Sequence, residues 1–296
     1  MSNATDTAVV IDSTADLPDY AQRFANLRMV PLTVRFGDVA DLRDHVDLDA
    51  DAFYARLALA HEPPRTSAPS PQAFADCYEQ LLGGQYAHVV SVHISGSLSA
   101  TVQSARLAAA PLGDRVTVID ARSASAGTAL CALGVEGLLA AGTTVDEVVS
   151  YGEQFAEGVH CNFSVETLDY LQRGGRIGRA QALVGGLLGV RPILGLVDGD
   201  VVAVARVRGP ARVLAAMLDQ FVETTPADGP IRVAIVHAQA PEQAAALAGE
   251  ITRARPQSQI ELVVPLGPVV GTYGGPGTLG LVWVTGPAAG APATTS

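Results

Sequence analysis

HVVSVHISGSLSATVQSARLAAA, residues 88–110, falls into three pieces. HVVSVHI (88–94) is a short apolar run with the β-branched content of a buried strand, and SGSLS (95–99) is a turn of hydroxyls and glycine. From Ser99 to about Ala110 the apolar residues return at helical spacing. A strand feeding a helix through a tight loop is the repeating unit of a parallel sheet covered on both faces. The unit recurs on either side. Upstream, AVVID (8–12) leads into Asp12-Ser13-Thr14 and a helix predicted to open near Asp16 with Pro18 in its first turn. Downstream, RVTVID (115–120) leads into Asp120-Ala121-Arg122-Ser123 and an Ala-rich helix from about Ser125 to Ala141. Between these units, MVPLTVRF (29–36) reads as one strand and Asp49–Ala60 as a helix. Ser70-Pro71, a hydroxyl cap followed by proline at the first helical position, opens a helix that ends at Gly83-Gly84. Residues 1–158 are therefore predicted to form an α/β domain with a doubly wound parallel sheet.

The pattern then changes. After a helix over about Val145–Glu157 and a strand at His160–Val165, Asp198-Gly199 sits between two apolar runs, a strong hairpin signal. Helices over 210–224 and 241–254 alternate with strands IRVAIVHA, IELVVPL and LGLVWVT, which predicts an α+β domain over 159–286. Residues 287–296, rich in Gly, Ala, Pro and Thr, read as a disordered tail.

Composition narrows the chemistry. The formal charge is -11, which excludes binding along nucleic acid as a main role, because that requires a dominant basic face. All 19 basic residues are arginines. The lack of lysine rules out a Walker A site, Schiff-base or pyridoxal chemistry and a lysine general base. Three scattered cysteines, Cys77, Cys131 and Cys161, fit core thiols in a reducing compartment, and no histidine spacing implies a metal site. No apolar run reaches the roughly 18 residues of a membrane span, and no secretory leader opens the chain, so a cytoplasmic protein is expected.

Loops at the carboxyl ends of parallel strands gather at one edge, where such folds bind ligands. Asp12-Ser13-Thr14, Ser95–Ser99 and Asp120–Ser123 all fall there, and Ser99 stands at a predicted helix start, which favours an anion. HEPPRTSAPSP (61–71) adds Thr66, Ser67 and Ser70 set among four prolines in a predicted loop. A serine hydrolase acting on acyl esters is an alternative, but SGSLSA lacks the G-x-S-x-G elbow and His93 lies inside a strand pattern. Two glycine-rich stretches, 174–178 and 271–277, read as backbone that approaches something closely or takes positive φ. Arg173, Arg176, Arg179, Arg191, Arg206, Arg208 and Arg212 form a basic patch on an acidic chain.

VVIDSTADLP (9–18), TSAPSP (66–71), HISGSLSATVQSA (93–105), VIDARSASAG (118–127), YLQRGGRIGRAQALVGGLLGVRPIL (170–194) and GTYGGPGTLGLVW (271–283) together resemble the DegV family of bacterial fatty-acid-binding proteins. The resemblance implies a two-domain protein that holds one long-chain fatty acid in an apolar tunnel, has no catalysis of its own and needs no cofactor or metal. It also implies a partner: the catalytic subunit of a fatty acid kinase, to which the carboxyl group is presented for acyl phosphate formation. On the family pattern Thr66, Ser99 and Tyr273 would hold the carboxylate. Ser67, Ser97, Arg176 and Gly274 would support them or stand at the site mouth, while Arg179 and Arg206 would dock the kinase. Where many members carry a histidine, this chain has Tyr273, a donor that does not become cationic near neutral pH. That departure leaves open a lipid carrier or regulator that works without a kinase.

Overall fold

All six residues of the first strand, β1 (Thr7–Asp12), are buried, as a strand covered on both faces requires. The computed structural model describes residues 6–17, 23–183, 190–209 and 212–286. Pro18, in the first turn of the helix predicted to open near Asp16, the tail after Gly286 and part of the 170–194 motif lie outside them. β1 pairs in parallel with β2 (Leu27–Val30) on one side and β6 (His88–His93) on the other, and β7 (Val116–Asp120) completes the order β2-β1-β6-β7. Helices α2 (Pro71–Leu82) and α3 (Thr101–Ala109) cover one face through Phe74, Tyr78 and Ala105. α4 (Ala126–Ala140) and α5 (Val145–Gly158) cover the other, as a doubly wound sheet predicts. The chain leaves β1 toward β2 and returns to the far side as β6, so the loops after β1 and β6 flank the switch in strand order where such sheets bind ligands.

Two expectations fail here. MVPLTVRF is not one strand: β2 ends at Val30, and β3 (Thr33–Arg35) belongs to a separate antiparallel sheet of order β4-β3-β5. Pro31 has no N–H to continue a ladder, so the chain turns away there. The loop expected over 61–71 contains a strand, β5 (Arg65–Ser67), paired with β3 so that Thr66 lies opposite Val34. β4 is Leu42–Arg43, and α1 (Ala50–Leu59) starts on the Asp49 cap.

A six-stranded mixed sheet follows, with order β10-β9-β8-β13-β11-β12. Its strands are β8 (His160–Ser164), β9 (Val190–Val197), β10 (Asp200–Arg208), β11 (Ile231–His237), β12 (Ser258–Pro265) and β13 (Leu279–Thr285). Asp198 and Gly199, with φ of 54° and 76°, make the predicted β9–β10 turn. α7 (Val213–Thr224) and α8 (Pro241–Ala254) bury Met217, Phe221 and Leu247 against the outer face. Two short helices were not anticipated, α6 (Asp169–Arg173) and α9 (Pro268–Gly274).

The inner face of this sheet meets α4, whose Ala126, Ala129 and Leu130 share one core cluster with Val9 and Ile11 of the first sheet and Ala234 and Val282 of the second. Small residues on α4 let both sheets close on it. Arg232 on β11, 2% exposed, ties this seam: it donates to both carboxylate oxygens of Glu261, to Tyr151 Oη at 2.6 Å and to Leu130 O at 3.0 Å.

A buried carboxyl on α4 works against stability. Glu136 of α4 accepts from Asn26 at 3.1 Å through one oxygen, while the other is buried without a partner. Burial raises its carboxyl to about 7, against the Asn26 bond. The folded state thus favours the proton, a contribution present below the ordinary glutamate range and lost as pH rises through about 7. Glu136→Gln is expected to stabilise the fold at about pH 8 by on the order of 3 kcal/mol, the gain vanishing near pH 4. Urea unfolding at both pH values checks this, and a pH-independent gain would overturn it.

Candidate functional site

Asp12, at the end of β1, organises the edge of the parallel sheet. Its Oδ2 accepts from Ile94 N at 3.1 Å and His93 Nδ1 at 2.9 Å, and its Oδ1 accepts from Thr14 N at 3.0 Å and from the Thr14 hydroxyl. Tyr78 Oη donates to Ser91 Oγ at 2.8 Å, so Ser91 spends its own proton on His93 Nε2 at 2.6 Å, leaving Nδ1–H to face Asp12. Asp12, Ser91 and His93 are all fully buried. His93 is thereby committed to the scaffold. Ser99 Oγ meets Thr101 Oγ1 at 2.8 Å and has no histidine partner among the described residues, so the geometry gives no support to a Ser99 hydrolase.

The other loops lock onto this one. Ser95 N donates to Ser123 O at 2.8 Å, and Asp120 Oδ2 accepts from Gly96 N at 3.1 Å. Ser95 Oγ donates to Gly199 O at 2.9 Å, joining the β9–β10 turn to the first sheet. A Cβ on Gly199 would fall 2.1 Å from that hydroxyl, so close approach as well as positive φ requires glycine there.

Between these loops and the inner face of the six-stranded sheet lies a cavity of about 250 Å3. Its apolar wall includes Ile94, Leu98, Phe163, Val236, Val269 and Val282. Thr66, Ser99, Arg176, Tyr273 and Gly274 also line it, so five of the residues singled out in the sequence are brought together although they span 66 to 274. Ser67 and Ser97 are not in the wall. Ser67, opposite Thr33 in the β3–β5 pairing, is exposed, and so is Ser97, whose N–H donates to Ser95 Oγ at 3.1 Å. Ser99 precedes α3 by two residues instead of opening it, and the helix cap is Ala100.

Thr66 Oγ1 and Tyr273 Oη are 2.5 Å apart. Arg176 stacks over the Tyr273 ring with Cζ 4.9 Å from its centroid, and donates to Leu98 O at 3.1 Å and Gly174 O at 2.8 Å. A Cβ on Gly174 would lie 2.3 Å from Tyr273 Cδ1, so the first glycine-rich stretch is shaped to receive this ring. α9, which presents Tyr273, was unread because its glycines at 271 and 274 disfavour a helix.

Beneath α9 sits a polar cluster that sequence reasoning did not find. Ser125 Oγ donates to Asp16 Oδ2 at 2.5 Å, and Asp16 Oδ1 meets His45 Nε2 at 2.9 Å. Burial opposes the charge on His45, but the hydrogen bond and charge of Asp16, with Asp44 and Asp49 beyond, raise it to about 9. Burial raises Asp44 to about 7, against the pull of His45. Ser125 and Thr14 both line the cavity. The available signal was the run Ser123-Ala124-Ser125-Ala126-Gly127 at a strand-to-helix turn.

The basic patch is partly neutralised. Arg179 is 3.3 Å from Asp200 and Arg191 is 3.1 Å from Glu166, whereas Arg206 and Arg208 are exposed on the edge strand β10. No group of three or more His, Cys, Asp or Glu suited to a metal ion occurs among the described residues, and no helix among them is long and apolar enough to cross a membrane.

A family model described as "Uncharacterised protein, DegV family" matches residues 6–286. A DegV domain-containing protein of Streptomyces coelicolor is 37% identical over 275 residues, covering 93% of this chain and 97% of its own. Among solved structures, a DegV family protein from Thermus thermophilus, described by its fatty acid binding, is 36% identical with a TM-score of 0.90, covering 95% of this chain and 99% of that one. DegV of Bacillus subtilis, described as a fatty acid binding protein, is 31% identical with a TM-score of 0.84 over 95% and 99% of the two chains. With the match running almost end to end and the cavity seated at the switch of its parallel sheet, the chain belongs to the DegV family.

Proposed function

We propose that the chain binds one long-chain fatty acid in this cavity, with the carboxylate at Thr66, Ser99 and Tyr273, and presents it to a separate fatty acid kinase subunit. The observation that carries the reading is the meeting of the Thr66 and Tyr273 hydroxyls at 2.5 Å in an otherwise largely apolar cavity, with Arg176 over the phenol. The fatty acid binding described for the Thermus thermophilus and Bacillus subtilis relatives supports it.

The chemistry is consistent at both ends of the ligand. A carboxylate taken out of water costs several kcal/mol unless donors replace its hydration. Two hydroxyls that share one hydrogen bond hold one spare proton, and a carboxylate inserted between them receives both. Two of the five N–H groups of Arg176 are spent on Leu98 O and Gly174 O, which fixes its charge beside the site. The tail supplies most of the affinity: at about 0.8 kcal/mol per buried methylene, roughly 16 carbons offer about 12 kcal/mol before ordering costs.

For the partner, the β9–β10 hairpin supplies an exposed cationic edge at Arg206, with Arg179 beside the turn, and both residues belong to the proposed kinase-docking surface. The ester-hydrolase alternative gains nothing from the geometry, since Ser99 is paired with Thr101.

Thr66→Ala and Ser99→Ala are each expected to weaken fatty acid binding by about tenfold or more, because a hydrogen bond to a charged group is lost, while thermal unfolding stays cooperative. Titration of delipidated protein measures this, and unchanged affinity in both variants sinks the carboxylate assignment. Arg206→Glu should leave fatty acid affinity intact and cut acyl phosphate formation at least tenfold in an assay reconstituted with a kinase subunit. Equal loss of binding and turnover would remove Arg206 from the docking surface.

A further inference from the structure

Two more hydroxyl residues of the cavity lining form a second station, distinct from the Thr66–Tyr273 pair. Thr14 and Ser125 stand there, each almost wholly buried. Both hydroxyl protons point away from the cavity: Thr14 Oγ1 donates to Asp12 Oδ1 and Ser125 Oγ donates to Asp16 Oδ2. Both acceptors are held in place from elsewhere, Asp12 by His93 and Ile94 and Asp16 by His45. With its proton committed, each hydroxyl oxygen can offer a ligand only a lone pair. In this arrangement the station accepts hydrogen bonds.

Its backbone shows that the hydroxyl at 125 is retained under strain. Ser125 has φ 51° and ψ -132°, a conformation glycine takes freely and other residues hold only when their surroundings enforce it. The residue comes after β7 and immediately before the fifteen-residue helix α4.

α9 sets the spacing of the two stations. A Cβ on Gly267, the cap of α9, would lie 2.1 Å from Asp16 Oδ1, and Tyr273 lies six residues further along, about 9 Å by helical rise. A fatty acid whose carboxylate sits at Thr66 and Tyr273 would meet Ser125 and Thr14 with its chain, not its head. A saturated chain would cover these oxygens without using their remaining lone pairs, and forgoes a hydrogen bond that a donor could add.

We propose that the cavity prefers a fatty acid bearing a hydroxyl group in mid-chain, whose O–H donates to Ser125 Oγ or Thr14 Oγ1. This rests on the fatty-acid reading above and names the ligand class of the same cavity. A mid-chain ketone, which only accepts, would meet these oxygens lone pair to lone pair and gain nothing. A hydroxyl next to the carboxyl group would fall at the wrong station.

The test uses delipidated full-length protein and competition against a fluorescent fatty acid. The competitors are octadecanoic acid, its mid-chain hydroxy and mid-chain oxo derivatives, and the isomer hydroxylated beside the carboxyl group. The mid-chain hydroxy acid is expected to bind about tenfold more tightly than octadecanoic acid, and the other two no better than it. In Ser125→Gly, which relieves the backbone strain and so guards against misfolding, and in Thr14→Val, the ratio of hydroxy to plain acid is expected to fall in at least one variant toward one. Equal affinities for hydroxy and plain acid, an equal gain from the oxo acid, a gain confined to the isomer substituted beside the carboxyl, or a ratio unchanged in both variants would each overturn the proposal while leaving fatty acid binding in place. Failure of every competitor, octadecanoic acid included, would instead reject the fatty-acid reading itself.

Discussion

Asp12 accepts from four donors contributed by two loops, and the site depends on that convergence. A carboxylate inside a protein is stable only when hydration is replaced bond for bond, so its position and the positions of its donors determine one another. Here the donors are Thr14, just past β1, and His93 and Ile94, at the end of β6. These are the two loops that flank the switch in strand order. The hydrogen bonds that satisfy Asp12 therefore also hold Thr14 and Ile94 in place as part of the cavity wall. His93, which from composition alone could be a catalytic base, is instead a strut whose two nitrogens are both in use.

The second unit is held to this edge by contacts of different kinds. Ser95 caps the β9–β10 turn through Gly199 O, Arg232 bridges α4, α5 and β12, and α4 lies in one core cluster with both sheets. A cavity can persist between two sheets only if something else keeps them from collapsing onto each other, because apolar surfaces gain by closing. α4 serves as the spacer on one side. On the other, α9 and β5 enter from outside the two main sheets and bring Tyr273 and Thr66 together. Residues of β5 and α9 thus line the cavity together with residues of both sheets and their loops, and the Thr66–Tyr273 hydrogen bond joins the two directly.

This arrangement explains what could be read from the sequence. The strand-loop-helix units around 8–16, 88–110 and 115–141 are local patterns, and local patterns place the loops at a common edge without knowledge of any long-range pairing. The family resemblance added Thr66 and Tyr273 as partners across more than two hundred residues. Composition had no access to what intervened: Pro31 splits a run that reads as one strand, and Thr66 reaches the cavity because β5 pairs with β3, a register fixed by tertiary contacts. The short helix α9 was hidden for a related reason. Gly271 must be bare because Tyr54 lies against it, 2.6 Å from where a Cβ would stand, and glycines chosen for packing look like helix breakers in one dimension. Ser125 was passed over because a serine before a helix is ordinarily a cap, whereas this one makes no cap bond and turns its hydroxyl to Asp16.

The placement of charge around the Thr66–Tyr273 pair is indirect. A guanidinium in direct bidentate contact would hold both oxygens of a carboxylate firmly, because it matches their geometry and charge. Such a grip would suit storage and hinder any later reaction at those oxygens. Arg176 is set otherwise: its Nε and one Nη are spent on backbone carbonyls of Leu98 and Gly174, and its flat face rests on the Tyr273 ring. Its charge is thereby held beside the Thr66–Tyr273 hydroxyl pair. In a chain with arginine in place of every lysine, stacking and two backbone bonds keep a permanently charged guanidinium beside the two hydroxyls.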